Sequence, residues 1–141
     1  MNRVSALRPL RLLALDSDGT VFPNMPLKFH VMLETIVEHF GLHSAHSAAE
    51  RVVRFFNLES RWRGGHRFVL LAEILDAIRI QPEVLASGIE VPPTVPLRHY
   101  LAAGGARSNE ALASAAAEDV TGLLARVHRW SVEVSARLAA L

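Results

Sequence analysis

Apolar residues recur at intervals of three or four positions through most of the chain after residue 26, which is the spacing of one face of a helix. From Leu27 to Phe40 this pattern predicts a helix, with Pro26 in its first turn and Gly41 at its end. Further helices are predicted from Ser47 to Leu58, with Ser47 as the N-cap, and over residues 68–80. A mostly α-helical chain of about five or six helices is therefore expected.

The second half of the chain contains one irregular stretch and then returns to helical spacing. Residues 81–97 include Pro82, Gly88 and the run VPPTVP, so they are predicted to be irregular, with a short helix following over 97–103. The last third places eight apolar side chains on one helical face: Val120, Leu123, Leu124, Val127, Trp130, Val134, Leu138 and Leu141. Trp130, on this stripe, is predicted to be a core residue.

The N-terminal region has a different pattern. Residues 10–15 form a short apolar run bounded by a proline and the sequence DSDGT, which predicts a β-strand buried on both faces. Residues two apart at a strand end point the same way, so Asp16 and Asp18 are expected to converge on one small ligand. Gly19 permits a sharp exit from the strand, and Thr20 offers a hydroxyl group for substrate binding.

Two neighbouring carboxylates are difficult to keep ionised together unless a cation or a shared proton lies between them. Mg²⁺ resolves this conflict, because it prefers hard oxygen ligands and binds through one or two carboxylates together with water and phosphate. The pattern therefore favours a phosphate and metal site at Asp16 and Asp18. The alternative is a plain strand-to-loop turn in which both aspartates only cap backbone amides.

The run LLALDSDGTV resembles the first motif of the haloacid dehalogenase-like hydrolase superfamily, and the helices after it resemble the helical cap of these enzymes. The resemblance implies a Mg²⁺-dependent phosphatase with Asp16 as the nucleophile that forms a phospho-aspartyl intermediate. It also implies that Asp18 is the general acid and base. Mg²⁺ would be bound by the Asp16 side chain and the Asp18 backbone carbonyl.

The later motifs of that superfamily, each after its own core strand, have no convincing counterpart in this sequence. The expected fold is therefore mostly α: a helical cap bundle over residues 25–141, with residues 1–24 supplying one β-strand and the catalytic loop of an incomplete, Rossmann-like α/β core. On this interpretation the chain is a truncation, half of a split enzyme or a partial product.

Phosphatase activity of the chain alone is expected to be weak or absent, because several partners must stabilise the transferring phosphoryl group together. Whether this chain is an enzyme by itself is left open.

The connection ESRWRGGHR, residues 59–67, has two interpretations. It can reach over the active site as a substrate-selecting loop, with Arg63 and Arg67 in contact with a phosphate or carboxylate. It can equally be a solvated helix connection with Trp62 packed inward.

The composition narrows the class of partner. A net charge of +1 argues against nucleic acid, which requires a one-sided excess of basic residues. The chain has no cysteine, no signal peptide pattern and no apolar stretch long enough to cross a bilayer, so a cytoplasmic protein is expected. The expected partners are a small phosphorylated metabolite and a second copy or a complementing core chain. The competing hypothesis is a non-catalytic helical module that dimerises or docks on another protein.

Overall fold

A computed structural model describes the protein over residues 25–141, and every regular element in this range is helical. The seven α-helices are α1 (Met25–Phe40), α2 (His46–Arg54), α3 (Arg67–Arg79), α4 (Pro82–Ser87), α5 (Val95–Ala102), α6 (Asn109–Ala116) and α7 (Leu123–Ala139). A 3-10 turn, His43–Ala45, precedes α2, and a π-helix, Phe55–Glu59, continues it.

The expected fold class needs correction. Residues 25–141 contain no β-strand, so the described fold is all-α rather than a helical bundle joined to part of an α/β core. The physical reason lies in the sequence pattern, since the apolar residues that form these helices keep helical spacing. The strand predicted over residues 10–15 lies outside the described residues. The division into 1–24 and 25–141 therefore stays a prediction.

The core is built mainly by α1, α2, α3 and α7, with α1 packed between α2 and α7. Trp130 of α7 is fully buried, which confirms its prediction as a core residue. Its indole Nε1 donates a hydrogen bond to Thr35 Oγ1 of α1 at 3.1 Å, and Thr35 Oγ1 donates to the Val31 carbonyl at 2.7 Å. This pair satisfies two polar groups that would otherwise be unpaired in an apolar interior.

Several predicted helix ends differ from the observed ones. Gly41 ends α1 as expected, with φ of 66°, a conformation that glycine adopts easily. Ser47 is not an N-cap, because α2 begins one residue earlier and its N-cap residue, Ala45, makes no side-chain cap bond. The segment predicted as one helix to Leu58 changes to π-helical hydrogen bonding at Phe55.

The segment predicted to be irregular, residues 81–97, contains the whole of α4 and the start of α5. Its remaining part is tied to α3 by a polar cluster. Buried Thr94 donates from Oγ1 to both carboxylate oxygens of Asp76, at 2.8 and 2.9 Å, and Arg98 donates to Asp76 Oδ2 at 2.6 Å. Hydrogen bonds to a charged carboxylate are among the stronger polar contacts in proteins, so this cluster positions α5 against α3.

The predicted apolar stripe of the last third is confirmed only within α7. Leu123, Leu124, Val127, Trp130 and Val134 are buried. Val120 precedes the helix and is fully exposed, and Leu141 follows the helix and is 61% exposed. Gly122, in the left-handed conformation, separates Val120 from the start of α7, so the helical spacing does not extend back to it.

Candidate functional site

A cleft of about 570 Å³ lies at the N-terminal end of α1. Its walls come from α1, the π-helix, the connection before α3, the start of α3 and the second half of α7. The lining residues are Lys28, Phe29, Met32, Asn57, Leu58, Gly64, Gly65, His66, Arg67, Leu70, Val134 and Leu138. We call this cavity the α1–α7 cleft.

One wall of the cleft depends on the two glycines of the connection. The backbone amide of Gly65 donates to the Trp62 carbonyl at 2.9 Å, which closes a tight turn. A Cβ atom on Gly65 would lie 2.9 Å from that same carbonyl oxygen, closer than such atoms normally approach. Gly64 has φ of 74°, which also favours glycine. The two glycines therefore allow the tight turn that forms this side of the cleft.

Arg67, at the first position of α3, is held in place by α7. Its Nη1 donates to the Ser131 carbonyl at 3.1 Å and to Ser135 Oγ at 2.8 Å. Both acceptors are neutral, and no carboxylate of residues 25–141 forms an ion pair with this guanidinium. Burial lowers the pKa of Arg67 from its ordinary value, although an arginine remains charged at neutral pH. The result is a partly buried positive charge without a negative partner in the described part of the chain.

His66 is the N-cap of α3. Its Nδ1 accepts a hydrogen bond from the Phe68 amide at 3.2 Å, so the neutral ring carries its proton on Nε2. The pKa of His66 is lowered, first by burial and then by the positive charges of Arg107 and Arg67. A hydrogen bond with the Arg107 backbone opposes these effects only in part. His66 is therefore neutral at pH 7 and serves as a cap and as a hydrogen-bonding group.

Among residues 25–141, the charged side chains that line the cleft are all positive. Lys28 and Arg67 line it, and no aspartate or glutamate of residues 25–141 does so. The side chains of Phe29, Met32 and Leu70 provide apolar surface beside these cations. A site of this kind suits an organic anion that has an apolar body, because the cations attract its charge while the apolar wall removes its body from water.

The structure places only part of the predicted site. Asp16, Asp18 and Thr20 lie outside the described residues. Arg67 lines the α1–α7 cleft, whereas Arg63 is exposed in the connection and does not line it. Trp62 is half-buried against the core, with the Arg61 guanidinium 4.8 Å above its ring, so the connection is packed as well as solvated.

Sequence reasoning did not single out Lys28, Asn57 or His66 as site residues, although all three line the cleft. One signal was available for Lys28, since it is the only lysine among 15 basic residues. Asn57 gave no signal, because its place in the wall results from the π-helix, in which its Nδ2 donates to the Val53 carbonyl at 2.8 Å.

Two further findings concern metal ions and membranes. Within residues 25–141, no three histidine, aspartate or glutamate side chains lie close enough together to hold a metal ion. The expected Mg²⁺ ligands, Asp16 and Asp18, lie before this range. None of the helices described is at once long and apolar enough to span a bilayer.

Comparisons of the chain with family models, with curated proteins and with solved structures find no match. The resemblance to the haloacid dehalogenase-like hydrolases therefore rests on the sequence of the DSDGT segment and of the helices after it.

Proposed function

We propose that this protein is a Mg²⁺-dependent phosphohydrolase of the haloacid dehalogenase-like type, in which the α1–α7 cleft receives the substrate. The observation that supports this proposal is the Arg67 guanidinium, which lines the cleft and forms no ion pair with a carboxylate of residues 25–141. Asp18 lies seven positions before Met25, so the intervening chain limits their Cα separation to about 25 Å. This length of chain allows the two aspartates to reach the cationic cleft.

In the proposed reaction, the Asp16 carboxylate attacks the phosphorus atom of a phosphate monoester. The ester P–O bond breaks, and Asp18 gives a proton to the departing alcohol oxygen. A water molecule then loses its proton to Asp18 and attacks the phospho-aspartyl group, which releases orthophosphate and restores the Asp16 carboxylate. Carboxylate and carbonyl oxygens suit Mg²⁺, which when bound to Asp16 and Asp18 would stabilise negative charge on the phosphoryl oxygens.

The described residues contribute substrate binding in this proposal. Arg67 is already held by Ser131 and Ser135, so little side-chain entropy is lost when it binds an anion. Lys28 adds a second positive charge from α1, and the apolar wall favours a substrate with an aromatic or aliphatic body. The expected substrate is a small phosphorylated metabolite of this kind, in the cytoplasm.

The decisive experiment looks for the phosphorylated aspartate rather than for rapid turnover, since the chain alone is expected to be a weak catalyst. Beryllium fluoride mimics an acyl phosphate on aspartate, and fluorine NMR detects the adduct. We expect a Mg²⁺-dependent adduct and slow hydrolysis of aryl phosphates with the wild-type chain, and neither with Asp16→Asn. Glu118→Gln is the control, because Glu118 is exposed and this substitution also removes one negative charge. This variant should behave as wild type. A wild-type chain that gives neither the adduct nor hydrolysis above that of Asp16→Asn would refute the proposal.

A second candidate is a non-catalytic helical module that forms a dimer with a second copy of this chain. The supporting observation is the apolar surface at the start of α1, where Leu27 is 53% exposed beside a groove lined by Pro26, Phe29, Arg54 and Leu58. Exposed apolar surface of this kind often marks an interface. Analytical ultracentrifugation of wild type and Leu27→Glu tests it: a wild-type dimer that Leu27→Glu converts to a monomer supports the module, and a wild-type monomer at high concentration excludes it.

A further inference from the structure

A second cavity, about 250 Å³ in volume, adjoins the α1–α7 cleft on the side of α6. It lies between the start of α3, the turn before α6, the N-terminus of α6 and α7. Its lining is polar except for Phe68, and consists of His66, Arg67, Phe68, Arg107, Ser108, Asn109, Glu110, Ser131 and Ser135. We call it the α6 pocket.

The pocket lining carries an excess of positive charge, with two arginines and one glutamate. Arg67 and Arg107 both line it, and neither forms an ion pair with any carboxylate of residues 25–141. Glu110 is the one acidic residue in the lining, and it pairs with neither arginine. Their positive potential reaches His66, because both arginines help to lower the pKa of its imidazole. Arg107 is exposed and Arg67 is half-buried, and an anion in the pocket is attracted by both positive charges.

The uncharged groups of the pocket supply hydrogen-bond donors. Asn109 Oδ1 accepts a hydrogen bond from the Ser131 hydroxyl at 2.7 Å. The Nδ2 group of the same amide is therefore the one that can donate to a ligand. Ser135 Oγ accepts from Arg67, and no acceptor within residues 25–141 takes its own hydroxyl proton. The first turn of α6 adds backbone amides, of which Ala111 N is already bound to Ser108 Oγ at 3.2 Å.

We propose that the α6 pocket binds a phosphate-type oxyanion, with Arg67 and Arg107 as its cationic ligands and Ser135 and the start of α6 as its neutral donors. A tetrahedral oxyanion presents oxygens in several directions at once. It therefore matches donors that come from α3, α6, α7 and the turn before α6 better than a planar carboxylate does. The proposal needs no catalysis and is independent of the hydrolase function proposed above.

The test measures binding of inorganic phosphate to the full chain by calorimetry, together with NMR of the His66 ring and of the Asn109 and Glu110 amides. We expect millimolar or tighter binding that shifts all three groups. Arg107→Gln should weaken it by about tenfold or more, the scale of a hydrogen bond between charged groups. Arg129→Gln is the matched control, because Arg129 is exposed on α7, carries the same charge and does not line the pocket. Asp16→Asn should bind phosphate as wild type does, which separates this result from the hydrolase test.

Two results would overturn the proposal: phosphate that leaves His66 and the α6 amides unshifted, or an Arg107→Gln variant that binds as well as Arg129→Gln. Ser135→Ala gives a second check if Arg107→Gln fails to fold, with a reduction in affinity expected and an unchanged affinity counting against the site. Glycerol phosphate, measured in parallel, distinguishes free phosphate from the phosphate group of a larger metabolite. Binding of either one with the same residues shifted supports the site.

Discussion

The hydrogen bond between Trp130 and Thr35 joins α1 and α7, which both line the cleft, so its removal tests how the site is held. In Thr35→Val the shape of the side chain is kept, but the fully buried indole N–H loses its acceptor. An orphaned buried donor costs about 1–3 kcal/mol. The helical backbone bond to the Val31 carbonyl remains available, and valine adds apolar contact. We therefore expect Thr35→Val to lower the free energy of unfolding by about 1–2 kcal/mol.

A double-mutant cycle separates this bond from general packing. Trp130→Phe removes the N–H together with part of the ring, and the resulting void should itself cost about 2 kcal/mol or more. Once the indole is gone, Thr35→Val orphans no donor, so its cost should fall close to zero. The expected coupling is about 1–2 kcal/mol, well outside the scatter of about 0.5 kcal/mol seen for independent sites. Urea unfolding followed by far-UV circular dichroism measures it, and strictly additive effects would refute the assigned role of the bond.

Three other predictions concern the cleft and the elements around it. Burial, Arg107 and Arg67 lower the pKa of His66 in the folded state, so the unfolded chain binds more protons. The free energy of unfolding should therefore fall as the pH drops below 6.5, and urea titrations should show a smaller fall for His66→Gln. Gly65→Ala should shift the connection and weaken aryl phosphate binding, measured by calorimetry, because the new methyl group would lie 2.9 Å from a carbonyl oxygen. Thr94→Val should lower the free energy of unfolding by about 1–2 kcal/mol in denaturant titrations, since a buried hydroxyl no longer donates to a carboxylate.

The helical body was predictable because its apolar periodicity is strong. The helices α1, α3 and α7 were located to within a few residues, and Trp130 was assigned to the core, since burial of one helical face requires that spacing. Errors arose where spacing gives no information. Val120 continues the stripe in sequence but lies before Gly122, and α4 occurs in a segment whose proline and glycine suggested only a loop.

The candidate site was less predictable, because its residues meet through tertiary packing. Arg67 was selected as a cation at the end of a glycine-containing connection, but the serines that hold it lie more than 60 positions later. Lys28 and Asn57 reach the same cleft from α1 and from a π-helix. A π-helical turn has no reliable sequence pattern, so the wall formed by Asn57 could be found only in the structure.

Arg67 lines both the α1–α7 cleft and the α6 pocket, so the two cavities cannot be electrostatically independent. An anion in either cavity neutralises part of the charge that attracts an anion to the other. Linkage requires this effect to be reciprocal. Phosphate in the α6 pocket should lower the affinity of the cleft for an organic phosphonate, and the phosphonate should lower the affinity for phosphate by the same factor. Calorimetric titration of a phenylphosphonate with and without inorganic phosphate measures this factor. Arg107→Gln should reduce this factor toward one, because that variant binds phosphate weakly in the α6 pocket but still binds the phosphonate in the cleft. A factor that Arg107→Gln leaves unchanged would indicate that both anions compete for the cleft alone.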